Sequence, residues 1–399
     1  MNLQAIKRLS DLDVAGKRVL VRVDVDVSLD GGAITDDRRI REVLPTIEYL
    51  TQRDARVLLM GHLGNPGGRV VPELSMESVA RRLAELLPGG EVFLTDACVG
   101  DGAKRVALDL RDGETAVLEN LAFHSGEAAG DEKLARELAS FADIYVNESP
   151  RTLHQQSASV FVVPRFVSQR ACGLIVEKEL TGLVHFSQKV ERPFVAVIGG
   201  SDFSSKLPLL QVMLERADTV IVGGVPANTF TAAQGLSLGT SVIERSRLPL
   251  ARDLAAKAKA SGVKLLLPTD FVVGEVGAGE AQKEVAASEV PSDVAVLDIG
   301  SKSRAAFKDA ISRAAAVFWN GPLGAFEREP FSSGTLFTAR AIAGSSAYSM
   351  VGGEDSAAAV LKFGLEKGFN HVSSGGRASL EFLEGKVLPG VGALESTAK

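Results

Sequence analysis

Short apolar runs alternate with helix-period patterns along the whole chain. In the first half, Arg18–Val23, Arg56–Met60, Glu91–Leu94, Thr115–Leu118 and Asp143–Val146 are compact apolar runs that predict strands. Apolar positions at helical spacing fill the gaps, as in Met76–Leu87 and Asp131–Phe141. The second half repeats the scheme, with strands predicted at Phe194–Ile198, Thr219–Val222, Lys264–Leu267, Val294–Leu297, Ala316–Trp319 and Tyr348–Val351. A run such as Phe194–Ile198 is apolar on both faces, as a strand covered by helices on each side must be. The alternation predicts an α/β fold of two doubly wound parallel sheets. Between the halves, Ala171–Gln188 reads as one long connecting helix carrying Glu177, Lys178 and Glu179. The expected domains are residues 1–170 and 189–387, with the connector at 171–188.

Composition narrows the partners. With 399 residues the chain is too long for one ordinary core, and 45% hydrophobic against 24% charged residues is a globular balance. The net charge is −6, no long basic run occurs, and three tyrosines and one tryptophan offer little for base stacking, so nucleic acid is not expected as a partner. No stretch of 18 apolar residues predicts a membrane span, and the first ten residues show no signal-peptide pattern. Cys98 and Cys172 form no C-x-x-C pair and are expected as buried free thiols in a reducing, cytoplasmic setting.

Polar residues collect just after the predicted strands, where open α/β sheets bind ligands. In the first half these are Asp24-Val25-Asp26, Gly61-His62-Leu63-Gly64-Asn65, Leu118-Glu119-Asn120-Leu121-Ala122 and Asn147-Glu148-Ser149-Pro150-Arg151. Capping and turn chemistry explains any one of these clusters well and all four together poorly. In the second half, glycine turns follow strands at Gly199-Gly200-Ser201-Asp202, Gly223-Gly224 and Asn320-Gly321-Pro322, and open helices at Gly352-Gly353-Glu354-Asp355-Ser356 and Gly375-Gly376-Arg377. Such turns hold phosphates through backbone N–H groups at helix N-termini. Neither a G-x-x-x-x-G-K-[ST] loop nor a G-x-G-x-x-G fingerprint is present. A tight turn is the simpler reading of each Gly-Gly taken alone.

Taken in order, Val21-Arg22-Val23-Asp24, Ile34-Thr35-Asp36-Asp37, Gly61-His62-Leu63-Gly64, Leu118-Glu119-Asn120-Leu121, Trp319-Asn320-Gly321-Pro322, Asp355-Ser356-Ala357-Ala358-Ala359 and Ala378-Ser379-Leu380-Glu381-Phe382-Leu383-Glu384-Gly385 resemble the phosphoglycerate kinase family over roughly residues 5–395. The resemblance implies an acid-substrate domain, a nucleotide domain, a hinge that closes them, and a tail (388–399) that returns to the first domain. It implies an acid site at Asp24, Asp26, Arg39, His62 and Arg151. It implies a nucleotide site at Gly199, Gly200, Lys206, Gly223, Asn320, Glu327, Gly352, Gly353, Asp355 and Ser356, with Asp355 on Mg2+ and ATP or ADP as the nucleotide. Transfer itself would fall to Arg39, Gly375, Gly376 and Arg377. A monomer is expected.

The sequence also departs from the family pattern. Asn65, Ala122 and Gln155 stand where the family has arginine, and Asp202 where it has lysine. Asp26 replaces an asparagine and Glu354 a glycine, while Arg151 and Arg377 replace glycines and Ser205 an acid. Phosphoryl transfer depends on positive charge around the transferring oxygens. The first reading is therefore a chain that binds Mg-adenine nucleotide weakly, with transfer to 3-phosphoglycerate lost or strongly impaired. Two others stay open: an active phosphoglycerate kinase with a rebuilt basic patch, and a phosphotransferase for a less anionic acceptor. Asp24, Asp26, His62 and Asp202 are read as facing solvent in an open cleft, with a divalent-cation site as the alternative.

Overall fold

The computed structural model describes residues 5–89, 91–188, 190–275 and 283–395. Residues up to Thr181, with those from Lys386 onward, form one compact unit, and Gly182–Gly385 form the other.

The first unit holds β1 (Arg18–Val23), β2 (Arg56–Met60), β3 (Val92–Leu94), β4 (Thr115–Val117), β5 (Ile144–Glu148) and β6 (Gln169–Cys172). All pair in parallel, in the order β3-β4-β2-β1-β5-β6. Its main helices are α1 (Arg38–Thr51), α2 (Glu77–Leu86), α3 (Asp101–Asp109), α4 (Ser125–Ala129) and α5 (Glu132–Ala139). Central β1 is buried along both faces, which its apolar sequence allows once helices cover the sheet on each side. Helix α5 shows the local logic. Asp131 caps it by accepting the Leu134 N–H, and Leu134, Ala135, Leu138 and Ala139 form its buried stripe.

The second unit holds β7 (Phe194–Ile198), β8 (Thr219–Val222), β9 (Lys264–Leu266), β10 (Asp270–Gly274), β11 (Lys283–Ala286), β12 (Ala295–Ile299), β13 (Ala316–Asn320), β14 (Tyr348–Gly352) and β15 (His371–Val372). The connector is α6 (Leu174–Ser187), followed by α7 (Phe203–Arg216), α8 (Gly224–Ala233), α9 (Leu248–Ala260), α10 (Ser301–Ser312), α11 (Ser333–Ala343), α12 (Glu354–Lys362) and α13 (Arg377–Leu383). Six strands form a parallel sheet ordered β9-β8-β7-β13-β14-β15, a doubly wound arrangement whose direction reverses between β7 and β13. Two six-stranded parallel sheets with covering helices make the α/β fold read from the sequence.

Three details differ from that reading. Ala171 and Cys172 belong to edge strand β6 and pair with Val146 and Asn147, so the connecting helix starts only at Leu174. The run at Val294–Leu297 falls on β12, which pairs antiparallel with β10 in a separate three-stranded sheet with β11. Short edge strands β6 and β15 carry too few apolar residues to stand out by pattern.

Glu148 at the end of β5 sits on the N-terminus of α6. It accepts the Ile175 N–H at 3.0 Å and the Thr46 hydroxyl. Gly173 permits this approach, since a Cβ there would lie 2.0 Å from Glu148 Oε2. Near the chain end, α14 (Pro389–Leu394) packs on the first unit, where the Gly390 N–H donates to Leu153 O at 2.9 Å. Arg170 Nη2 donates to the Glu395 carbonyl at 2.7 Å.

Candidate functional site

In the first unit, β1 delivers Arg22 and, just beyond its end, Asp24 and Asp26. Helix α1 delivers Arg39, the turn after β2 delivers His62, and the segment after β5 delivers Arg151. The structure brings together all five residues expected at an acid site. Arg39 Nη1 donates to Asp26 O at 2.7 Å and lies 3.5 Å from Asp24 Oδ1 and 3.7 Å from Asp26 Oδ2. Arg151 Nε lies 3.0 Å from Asp24 Oδ2. Asp24 is therefore buried between two guanidinium groups, which corrects the expectation of an acid facing open solvent.

Arg22 is buried and organises His62 from behind. Its Nε donates to Ser159 Oγ at 2.9 Å, and its Nη2 lies 3.0 Å from His62 Nδ1. A guanidinium can only donate, so His62 Nδ1 accepts and the ring proton sits on Nε2. Burial first, and the Arg22 charge second, hold His62 below its ordinary pKa, so the ring is neutral at neutral pH. Burial also raises the Glu42 carboxyl, with Arg151 and Arg39 opposing that rise.

The loops around Asn65 and Ala122 are braced by the Leu118–Leu121 motif. Asn120 is buried, donates to Leu63 O (2.8 Å) and Leu74 O (2.9 Å), and accepts the Ala122 N–H at 3.0 Å. Glu119 accepts the Met76 N–H at 2.8 Å and the Ser75 hydroxyl at 2.7 Å. This motif is structural, and it shapes the loops that carry positions 65 and 122. Asn65 and Gln155 are exposed and uncharged.

In the second unit, a cavity of about 300 Å³ opens at the β7/β13 reversal. Gly200, Glu327 and Asp355 line it, together with Val225, Val242, Phe271, Leu297 and Leu323. The inserted antiparallel sheet supplies Phe271 and residues 295–299, a wall the sequence pattern did not reveal. Beside the cavity, Lys206 Nζ donates to Asn320 Oδ1 at 2.7 Å, and Asn320 Nδ2 donates to Gly352 O at 2.8 Å. Ser356 Oγ accepts the Gly321 N–H. Gly199 accepts nothing larger than hydrogen, because a Cβ there would fall 2.1 Å from Pro322 O. Gly353 adopts φ +90° at the start of α12. Gly223 stands at the start of α8, where a Cβ would fall 2.2 Å from Leu323 Cδ2. Burial lowers the Lys206 pKa, while Asp355 and Asp202 act in the opposite sense.

Helix α7 begins differently from α8 and α12, whose N-caps are glycines without side-chain caps. Asp202 caps α7 by accepting the Ser204 and Ser205 N–H groups. Glu244 accepts the Phe203 and Ser204 N–H groups and the Ser204 hydroxyl. The first turn of α7 is thus occupied by two carboxylates of the protein. A proton shared with Glu244, then hydrogen bonds from Ser205 and the backbone, hold Asp202 below the usual carboxylate range. Glu244 lies in a stretch without a motif, and only folding brings it to α7.

Gly375, Gly376 and Arg377 do not line the cavity. Gly376 has φ +53° and precedes α13, while the largely exposed Arg377 pairs with Glu381 on its own helix at 2.8 Å. Asp298 is a further residue the sequence reading missed. It lines the cavity, accepts the Gly334 and Ile299 N–H groups at 2.7 and 2.8 Å, and is pushed by burial to about 7.

Among the described residues, no group of three or more His, Cys, Asp or Glu side chains is placed to hold a metal ion. No described helix is long and apolar enough to cross a membrane. Cys98 and Cys172 are buried free thiols.

The family described as Phosphoglycerate kinase matches residues 9–386. A phosphoglycerate kinase of Pelotomaculum thermopropionicum is 47% identical over 391 residues, covering 98% of this chain and 99% of that protein. One from Anaeromyxobacter sp. (strain K) is 46% identical, covering 98% and 100%. Among solved structures, the phosphoglycerate kinase of Coxiella burnetii superposes with a TM-score of 0.91 at 36% identity, covering 99% of this chain and 100% of that one. That of Pyrococcus horikoshii gives 0.81 at 31% identity, with 98% of each chain covered. With its ordered motifs, its two parallel sheets and similarity running nearly end to end, this chain belongs to the phosphoglycerate kinase family.

Proposed function

We propose that the chain is a phosphotransferase of the phosphoglycerate kinase type, interconverting ATP plus 3-phosphoglycerate with ADP plus 1,3-bisphosphoglycerate. The reading rests on one observation above others: the Lys206–Asn320–Gly352 network beside a cavity rimmed by Gly200, Glu327 and Asp355. Apolar walls suit a planar base, Glu327 suits a ribose, and the glycine-led helices α8 and α12 suit phosphate oxygens. The donor set fits magnesium nucleotide: Asp355 is the carboxylate that would hold the ion. When bound, the ion would offset charge on the phosphate oxygens.

This chain's own residues would then divide the remaining work. Lys206 would donate to the transferring phosphoryl group. In the first unit, Arg39 would receive the acceptor carboxylate, and His62 Nε2–H would add a neutral donor.

Whole-length identity with kinases favours transfer over the loss of activity that the charge pattern alone suggests. The impaired reading keeps one specific support. Positions 65, 122 and 155 carry no charge, and Arg39 and Arg151 already face Asp24 and Asp26. A coupled assay on purified protein, run beside ADP calorimetry, separates the readings. Turnover of about 1 s⁻¹ or more is expected for an ordinary enzyme. Weak ADP binding without turnover would favour the impaired reading, and absence of both binding and turnover would sink each of them.

A further inference from the structure

Three hydrogen-bond donors of the first unit converge on one carboxylate. The Gly64 N–H donates to Asp26 Oδ1 at 2.7 Å. The Arg39 guanidinium lies 3.7 Å from Asp26 Oδ2, and His62 Nε2 lies 3.8 Å from the same oxygen. Arg22 holds the other nitrogen of His62, so the proton-bearing Nε2 is the one that faces Asp26. A loop N–H on one oxygen of Asp26, and a guanidinium and an imidazole N–H facing the other from just beyond hydrogen-bond length, are the partners an anionic group takes. Asp26, Arg39 and His62 are each partly exposed, so solutes reach the same donors.

We infer that Asp26 is a built-in anion that competes with the acceptor for the donors of the acid site, and so sets how much negative charge an acceptor can carry. The inference rests on the proposed acid site around Arg39 and His62. An entering anion must displace Asp26 from those two groups or share them with it. Arg39 is drawn the same way by Asp24 and by the Asp26 carbonyl, and Arg151 by Asp24. Repulsion from Asp26 scales with the charge of the entering group. A phosphorylated acid is therefore disfavoured more than the bare hydroxy acid. Asparagine at this position would keep an oxygen for the Gly64 N–H and remove the charge.

The test is calorimetric titration of nucleotide-free protein with 3-phosphoglycerate and with glycerate, using the wild type, Asp26→Asn and Asp26→Glu. Asp26→Asn is expected to tighten 3-phosphoglycerate by about tenfold or more and to change glycerate by less than about threefold. Asp26→Glu is expected to tighten neither. An Asp26→Asn protein within about twofold of wild type for 3-phosphoglycerate, or one that tightens both ligands equally, would overturn the inference. If Asp26→Asn does not fold, the wild type decides alone: a preference for 3-phosphoglycerate over glycerate of about a hundredfold or more would overturn it. No nucleotide or turnover enters this titration. Its failure leaves the proposed transfer standing, and a silent coupled assay leaves the role of Asp26 untouched.

Discussion

Lys206 Nζ donates to Asn320 Oδ1 at 2.7 Å, which ties the cation of α7 to the amide that also holds the Gly352 carbonyl before α12. One buried amide thus orients the cation and the glycine turn together. Lys206→Met keeps most of the stem and removes the charge. ADP affinity is expected to fall by about 1.5–3 kcal/mol, the range for a hydrogen bond to a charged group. Calorimetry with ADP reads this directly, and an unchanged affinity would mean that Lys206 serves only to hold Asn320.

Asp202 plays two parts that one substitution separates. Asparagine caps a helix about as well as aspartate does, so Asp202→Asn should leave α7 intact. Asp202→Ala should cost about 1 kcal/mol in urea unfolding. Removing the charge should tighten ADP, and more without magnesium than with it, since the ion's own charge offsets the carboxylate. Equal ADP affinity in wild type and Asp202→Asn, at both magnesium levels, would show that the α7 turn lies away from the phosphates.

Two buried carboxyls make stability depend on pH. Burial pushes Glu148 from 4.5 to about 7 and Asp298 from 3.8 to about 7. Each is raised in the folded state, so the folded chain binds more protons than the unfolded one between those limits. Their contribution is fully present below the unfolded values and is lost as pH rises through about 7. Urea midpoints should therefore fall across this window, apart from the effects of other groups. Glu148→Gln and Asp298→Asn should each flatten part of that slope, and slopes identical to wild type would contradict the assignment.

Arg22 acts on the proposed acid site through His62. Arg22→Met removes the second-largest influence lowering the ring's pKa and frees Nδ1. The His62 pKa should rise, and both ring tautomers should appear in nitrogen-detected NMR. Acceptor affinity should depend on pH more strongly than in the wild type, since a ring with a higher pKa charges over more of the acid range. A single tautomer and an unmoved titration in Arg22→Met would show that burial alone sets the ring.

The strands that carry the two sheets were legible because their signal is local. Runs such as Arg18–Val23 and Phe194–Ile198 are apolar on both faces, and a chain must bury them between helices whatever else it does. The family motifs were legible for the same reason, being contiguous residues at strand ends. Strands β6 and β15 and the antiparallel sheet around Phe271 were not, because their pairing depends on neighbours distant in sequence. The charged groups needed the tertiary structure most of all. A tally of gained and lost charges found Asp26, Arg151 and Asp202, yet it could not say that Arg151 faces Asp24, or that Asp202 caps α7 with Glu244 beside it. Glu119, Asn120 and Glu148 stood only in polar clusters after strands, where nothing local showed that the first two brace loops and the third receives the N-terminus of α6, and Arg22 and Asp298 gave no sign of their roles. Hydrophobic burial is non-directional and registers in composition along the chain. A charge acts through distance and angle to a specific partner, and only the folded backbone sets those.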